Sequence, residues 1–194
     1  GDSLNHIENV HTDKIATLLH TLHNGKLTLT NYNPFTRLVE IIKERETFIK
    51  EKEKSEEEIL SLIYANQAYL EEEKIVLSHN DFQRSNIVLD PNDNYFVIDF
   101  EFMANNYETY DIACFGNDEI KDGEQLLKSY KGENITSEDF KRFYLWRMFI
   151  SLQWRNVAII KHHRGEGKAH NVDFLYVANH FLKNAQLSYE KYKD

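Results

Sequence analysis

The sequence predicts an α+β fold that is mostly helical, with one small β-hairpin near the middle of the chain. Apolar residues recur at helical spacing through both ends of the chain, while three short runs rich in β-branched residues interrupt that texture between positions 75 and 98. The scale comes from 194 residues with 41% hydrophobic side chains, enough to bury one sizeable core. A single domain over residues 1–194 is expected.

The first helix opens at Thr12, where Ile15, Leu18, Leu19 and Leu22 follow the i, i+3, i+4, i+7 pattern, Thr12 or Asp13 serves as cap, and Asn24-Gly25 ends it. After the turn at Asn33-Pro34, residues 36–50 read as helix, and the charge run 51–58 reads as a solvated helix end or connector. Ser55 and Glu58 have capping-box spacing, and Ile59, Leu62, Ile63 and Leu70 extend one apolar face to about Glu72. Strands are expected at 75–77, 87–89 and 95–98, with Asp90-Pro91-Asn92-Asp93-Asn94 turning the last two into a hairpin. Residues 118–130 predict a short helix stopped by Gly132. Thr136 and Asp139 cap a long aromatic-rich helix reaching about His162, and residues 172–192 form the last one.

Composition excludes several classes. A net charge of −9, with 32 acidic against 23 basic residues, disfavours a nucleic-acid surface, which needs clustered Lys and Arg to displace counterions. Cys114 is the single cysteine, so there is no intramolecular disulfide framework and no Cys-rich zinc site; it suits a reducing compartment, and a cytoplasmic location is expected. No run approaches the roughly 20 apolar residues that span a bilayer.

The chemistry concentrates between Leu77 and Gly116. His79-Asn80-Asp81-Phe82-Gln83-Arg84-Ser85-Asn86 has the pattern H-x-D-x-x-x-x-N and lies between a strand and the hairpin, where rigid elements hold a loop. Phosphoryl transfer to an alcohol needs a carboxylate to orient the hydroxyl and receive its proton, and oxygen donors to hold Mg²⁺ against phosphates. Asp81 suits the first need and Asn86 the second. The hairpin returns the chain to Ile98-Asp99-Phe100-Glu101, which adds Asp99 as a second metal ligand.

These segments, followed by Asp111-Ile112-Ala113, resemble the successive signatures of the choline and ethanolamine kinase family within the aminoglycoside phosphotransferase-like group. Asn80 and Phe100-Glu101 are similar to choline kinases rather than antibiotic kinases, and residues 15–23 resemble the helix that opens their C-terminal lobe. The resemblance implies the C-terminal lobe of a protein-kinase-like fold, with ATP as co-substrate and Mg²⁺ as cofactor. It implies Asp81 as base, Asn86 and Asp99 as metal ligands, and Glu101 beside the metal or the acceptor. Asp111 would brace the catalytic loop, His79 would tie it to the metal loop, and Gln83 would touch substrate or loop backbone. Other acceptors of the same fold, an aminoglycoside, thiamine or a sugar, stay open, as does a pseudokinase-like binding module.

A quaternary ammonium donates no hydrogen bond, so a choline-like acceptor needs aromatic faces and nearby carboxylates. Phe143, Trp146, Ile150, Trp154 and Val157 recur at helical steps, and Asp118 and Glu119 follow Asp111. Trp146, Trp154, Asp118 and Glu119 are the substrate candidates, although core packing is the ordinary role of such a stripe. Trp154 has a firmer basis, because choline kinases resemble one another in a W-x-x-W pair before a short basic connection, like 161–168 here. Ser151 stands at the first position and shrinks the expected cage; Ser85, where the family has Gly, is a second departure. His162, His163 and His170 read as surface or helix-end residues rather than a zinc site. Only seven glycines are present and no Gly-rich phosphate loop is recognisable, so the chain is expected to be the helical lobe of a longer kinase, inactive without its ATP-binding partner lobe.

Overall fold

The computed structural model describes residues 2–4, 10–27 and 29–194. In chain order the elements are β1 (Asp2–Ser3), α1 (Thr12–His23), α2 (Pro34–Glu46), α3 (Lys54–Ala65), α4 (Gln67–Glu71), β2 (Ile75–Ser78), β3 (Ile87–Leu89), β4 (Tyr95–Val97) and β5 (Ala104–Tyr107). Then follow α5 (Glu108–Phe115), α6 (Ile120–Lys131), α7 (Ser137–His163), α8 (Gly167–His170) and α9 (Phe174–Lys193). The fold is α+β and mostly helical, with two small antiparallel sheets, β1-β3-β4 and β2-β5.

Side-chain caps set the starts of α2, α7 and α9, whereas α1 begins after His11 with no side-chain cap, so neither Thr12 nor Asp13 caps it. Asn33 accepts from the Thr36 N–H with Pro34 in the first turn, so α2 begins two residues earlier than its apolar pattern suggests. It ends at Glu46 rather than Lys50, because Arg45 turns back to donate to the Glu51 carbonyl at 2.7 Å. The expected Ser55–Glu58 capping box is not formed: α3 starts at Lys54, and Ser55 Oγ accepts instead from Gln186 on α9 at 3.0 Å. The helix expected to run on to Glu72 breaks at Asn66, whose side chain donates back to the Leu62 carbonyl. By contrast, Thr136 and Asp139 do form a reciprocal capping box on α7.

The β3-β4 hairpin pairs Ile87 with Val97 and Leu89 with Tyr95 around an Asp90 turn in which Oδ1 accepts from the Asn92 and Asn94 N–H groups. Strand β5 and helix α5 are elements the pattern did not signal. Ala104–Tyr107 contains no β-branched residue and is extended because it pairs with β2, Ile75 opposite Tyr107 and Ser78 opposite Ala104.

The core sits around α7, which is buried on most of its circumference by α2, α3, α5, α6 and α9. Phe35, Tyr110, Trp146 and Phe149 form its aromatic centre. Close approach of α5 and α6 depends on Gly116 and Gly123: a Cβ on Gly123 would lie 2.5 Å from Phe143 Cζ and 2.7 Å from Gly116 Cα. Among the described residues no helix is long and apolar enough to cross a membrane.

Candidate active site

Strand β2 ends at Ser78 and delivers the chain into a loop held by one buried carboxylate. Asp111, at 0% exposure on α5, accepts from the His79 N–H at 2.9 Å and the Asn80 N–H at 2.8 Å. Its Oδ2 also lies 3.1 Å from His23 Nε2, and His23 Nδ1 lies 2.8 Å from the Tyr130 hydroxyl. Helix α1 therefore supports the loop through Asp111. His79 donates through Nε2 to the Ile98 carbonyl at 2.9 Å while Nδ1 accepts from the Asp81 N–H at 3.3 Å, which joins the loop to the segment carrying Asp99.

Asn80 adopts φ 66°, a left-handed conformation that Asn tolerates better than most residues. Its side chain donates to the Phe102 carbonyl at 2.8 Å and accepts from Asn106 Nδ2 at 2.7 Å. The sequence pattern passed over Asn106, which belongs to no recognisable motif, and gave His23 only as the end of a family-like helix, with no role in the site. Cys114 lies buried below the loop, with Sγ 3.7 Å from the Asn80 carbonyl, and burial raises its thiol pKa well above the ordinary value.

Asp81 projects beyond this anchored base. Its Oδ2 accepts from Gln83 Nε2 at 3.0 Å and Asn86 Nδ2 at 2.9 Å. Burial is the largest influence on its pKa and raises it, Asp99 adds to the rise, and the bonds from Gln83 and Asn86 work against it. Asn86 is buried and also donates to the Asp81 carbonyl, so its Oδ1 faces away from Asp81. Asp99 sits at φ 65° as the first residue before the turn Phe100–Phe102, and it is solvent-exposed.

Among the described residues no three His, Cys, Asp or Glu side chains gather to bind a metal on their own. An amide oxygen and one carboxylate nevertheless suit Mg²⁺, which takes hard oxygen donors, keeps waters and shares nucleotide phosphates.

A cleft of about 420 Å³ opens beside Asp81, lined by Asn80, Glu101, Phe102 and Trp154, with Tyr32, Arg37, Ile41, Gln153, Val157 and Lys161 completing the wall. Burial pushes the Tyr32 hydroxyl up to about 12, with Tyr110 and Gln153 partly offsetting it. Helix α2 and the loop before it escaped the sequence reading of the site, because no motif marks Tyr32 or Arg37.

Several sequence-predicted residues lie elsewhere. Trp146 is fully buried, stacked 5.3 Å from Tyr107, and its Nε1–H donates to Glu73 Oε2 at 3.1 Å, so it is core and lines no acceptor cleft. Phe143 and Ile150 are core as well. Asp118 and Glu119 are exposed residues before α6; Asp118 faces His180 on α9 at 3.9 Å, and neither lines the cleft, because the turn after α5 carries them past it. Ser151 is fully buried and donates to Asn117 Oδ1 at 2.8 Å, so its effect on the aromatic wall is indirect. His162 and His163 are exposed, with His163 stacked on Phe48; the side chain of His170 lies outside the described residues.

A family model for choline/ethanolamine kinases matches residues 3–126. No curated protein sequence matches the chain. Among solved structures, a choline/ethanolamine kinase family protein from Mesorhizobium loti superposes with TM-score 0.82 at 14% identity, covering 94% of this chain and 64% of that one. The choline kinase LicA from Streptococcus pneumoniae superposes with TM-score 0.68 at 20% identity, covering 94% and 63%. The GDP complex of wild-type aminoglycoside 2'-phosphotransferase-IIIa gives TM-score 0.62 at 14% identity, covering 91% and 62%. At these identities the likeness shows a shared fold, and the chain spans less than two thirds of the length of each.

Proposed function

The chain belongs to the choline/ethanolamine kinase family and has the helical C-terminal-lobe fold of these kinase-like proteins, and from that premise we propose an ATP-dependent phosphotransferase acting on choline or a related amino alcohol. The observation that carries this reading is the Asp81 carboxylate, held by Gln83 and Asn86 at the edge of a cleft that also presents Trp154 and Glu101.

In this reading the acceptor hydroxyl donates to Asp81, which orients its oxygen and takes its proton as the new P–O bond forms and the bond from the γ-phosphorus to the β,γ-bridging oxygen breaks. Burial that raises the Asp81 pKa makes the carboxylate a better proton acceptor than a solvated aspartate. Asn86 Oδ1 and Asp99 would hold Mg²⁺, which when bound neutralises charge on the transferring phosphates. Trp154 supplies the aromatic face and Glu101 the countercharge for an alkylammonium group. The chain spans less than two thirds of the length of these relatives, and in this reading residues 1–194 are the helical lobe and ATP binding belongs to the whole protein.

The test is ATP consumption by the full-length protein across a panel of small alcohols. Turnover should require an amino alcohol and fall about 10³-fold in Asp81→Asn. Magnesium-dependent nucleotide binding should be lost in Asp99→Ala. Undiminished turnover in Asp81→Asn, or no ATP consumption with any alcohol, would sink the reading.

A further inference from the structure

The turn Phe100–Phe102, which follows Asp99 and carries Glu101, is held by hydrogen bonds more than by packing. None of its three residues is buried, and Phe100 and Phe102 are 46% and 51% exposed. The Met103 N–H closes it on the Phe100 carbonyl at 3.1 Å. Two side chains tie its ends to the loop that contains Asp81. Before the turn, His79 Nε2 donates to the Ile98 carbonyl at 2.9 Å, and the His79 ring leans on Phe100 with 5.2 Å between centroids. At its far end, Asn80 Nδ2 donates to the Phe102 carbonyl at 2.8 Å. Asp99 lies beside the first tie, whereas Glu101 and Phe102, which line the cleft, lie at the second.

The second tie begins further back, at Asn106. The direction of each bond in it is fixed from the ends. The Tyr107 N–H can only donate, so the Asn106 atom that meets it at 2.8 Å is Oδ1, which leaves Asn106 Nδ2 to face Asn80 Oδ1 at 2.7 Å. The Phe102 carbonyl can only accept, so Asn80 presents Nδ2 to it. Both carboxamides are thereby oriented in one unbranched relay from Tyr107 N–H to Phe102 C=O. Asn106 is 1% exposed on β5, a strand registered by its pairing with β2, so the relay passes the position of that sheet to an exposed turn. Asp111 holds the same Asn80 by its backbone N–H at 2.8 Å. The backbone and the side chain of one residue thus answer to different elements.

We infer that Asn106 is a positioning residue, which acts through the Asn80 side chain to set Glu101 and Phe102 against the ammonium end of the acceptor. This rests on the phosphotransferase reading above and divides its labour. Asp111, through backbone N–H groups, aims Asp81 and governs kcat. The relay from Asn106, which does not itself line the cleft, shapes the acceptor wall and governs the acceptor KM.

The test is a double-mutant cycle on the full-length protein with ATP, and with choline and ethanolamine as acceptors: Asn106→Leu, Asn80→Gly and both together. Each single variant should raise the acceptor KM about 10-fold, as expected when one link of a buried hydrogen-bonded pair is removed, with a smaller fall in kcat and little change in the KM of ATP. Since both substitutions cut one relay, the double variant should be no worse than the poorer single one. Acceptor KM unchanged in the single variants, effects that multiply in the double variant, or an equal rise in the KM of ATP overturns the inference while leaving the phosphotransferase reading intact. A thermal melt checks folding. Should Asn106→Leu fail to fold, Asn80→Gly, whose glycine suits φ 66°, carries the test alone: a raised acceptor KM supports the relay and a wild-type KM overturns it. If neither alcohol is phosphorylated, the phosphotransferase reading loses its acceptor, and hydrogen exchange of residues 100–103 by mass spectrometry decides the inference. Faster exchange in both single variants supports it, and exchange at the wild-type rate overturns it.

Discussion

Two carboxylates with no solvent exposure, Glu56 and Asp111, are compensated in opposite ways, and the contrast separates what holds this lobe together from what aims its chemistry. Glu56 on α3 is met by side chains. Arg45 of α2 pairs with its Oε1, and Arg155 of α7 donates to its Oε2 at 3.0 Å. The same two guanidiniums reach Asn156 Oδ1, the Glu51 and Ala178 carbonyls and Glu53, so the cluster joins α2, α3, α7 and α9. Asp111 is met by the backbone N–H groups of His79 and Asn80, in the loop that carries Asp81, and by His23. Charge met by side chains on helices staples those helices. Charge met by loop amides sets where the loop points.

The largest expected effect tests the staple. Glu56→Ala leaves two buried guanidiniums facing each other without their acid and should cost about 3–5 kcal/mol in denaturant unfolding. The folded fraction should keep close to normal turnover, because nothing in the cluster touches the cleft containing Asp81. A triple replacement, Arg45→Met, Glu56→Leu and Arg155→Met, should recover most of that stability. Loss of turnover in excess of unfolding would break the distinction between the two regions.

Asp111→Asn should do the reverse. The side chain keeps its shape, but one accepting oxygen becomes an N–H donor aimed at a backbone N–H, and the loop shifts. Misplacement of Asp81 by about 1 Å is enough for a loss on the order of 10²-fold in kcat, with a smaller drop in thermal midpoint than Glu56→Ala produces. An Asp111→Asn protein with normal kcat and a collapsed melting curve would show that Asp111 is a staple too.

The smallest effect is in pH. Asp81 has a raised pKa, chiefly through burial and then through Asp99, so the acidic limb of kcat should lie above the pH at which a solvated aspartate titrates, and should move down in Asp99→Asn where turnover remains measurable. The sign for stability is opposite. A carboxyl whose folded pKa exceeds its unfolded value contributes stability that is present below the unfolded pKa and is lost as pH rises through the folded pKa. Acid therefore removes activity at Asp81 while relieving the cost of its buried charge. Calorimetric stability of the wild type relative to Asp81→Asn, followed down through that limb, should rise.

Much of the fold was legible because its signals are local. The Thr136–Asp139 box, the Asp90 turn and the spacing of α1 each involve residues a few positions apart, and each produced the expected element. The failures are equally physical. Ser55 and Glu58 have capping-box spacing, yet Gln186, 131 positions downstream, takes the Ser55 hydroxyl and α3 begins one residue earlier. Strand β5 has weak strand propensity and exists because β2 offers a partner. Within the site, the grouping of Asp81 with Asn86 lies inside one short loop, whereas Arg37 and Lys161 reach the same cleft from helices far apart in sequence.

The sequence by itself determined the order of chemical groups from His79 to Asp99 and the family they belong to, because a loop fixed at both ends by strands brings its own near neighbours together. Only the tertiary structure decided which aromatic residues line the cleft. Helix α7 is enclosed on most sides, so its apolar residues trace no single face, and periodicity alone does not separate Trp146 in the core from Trp154 at the cleft. The same packing carried Asp118 and Glu119 away from the site and brought Arg37 and Lys161 into it, since long-range contacts, unlike turns and caps, leave no signature at the residues that make them.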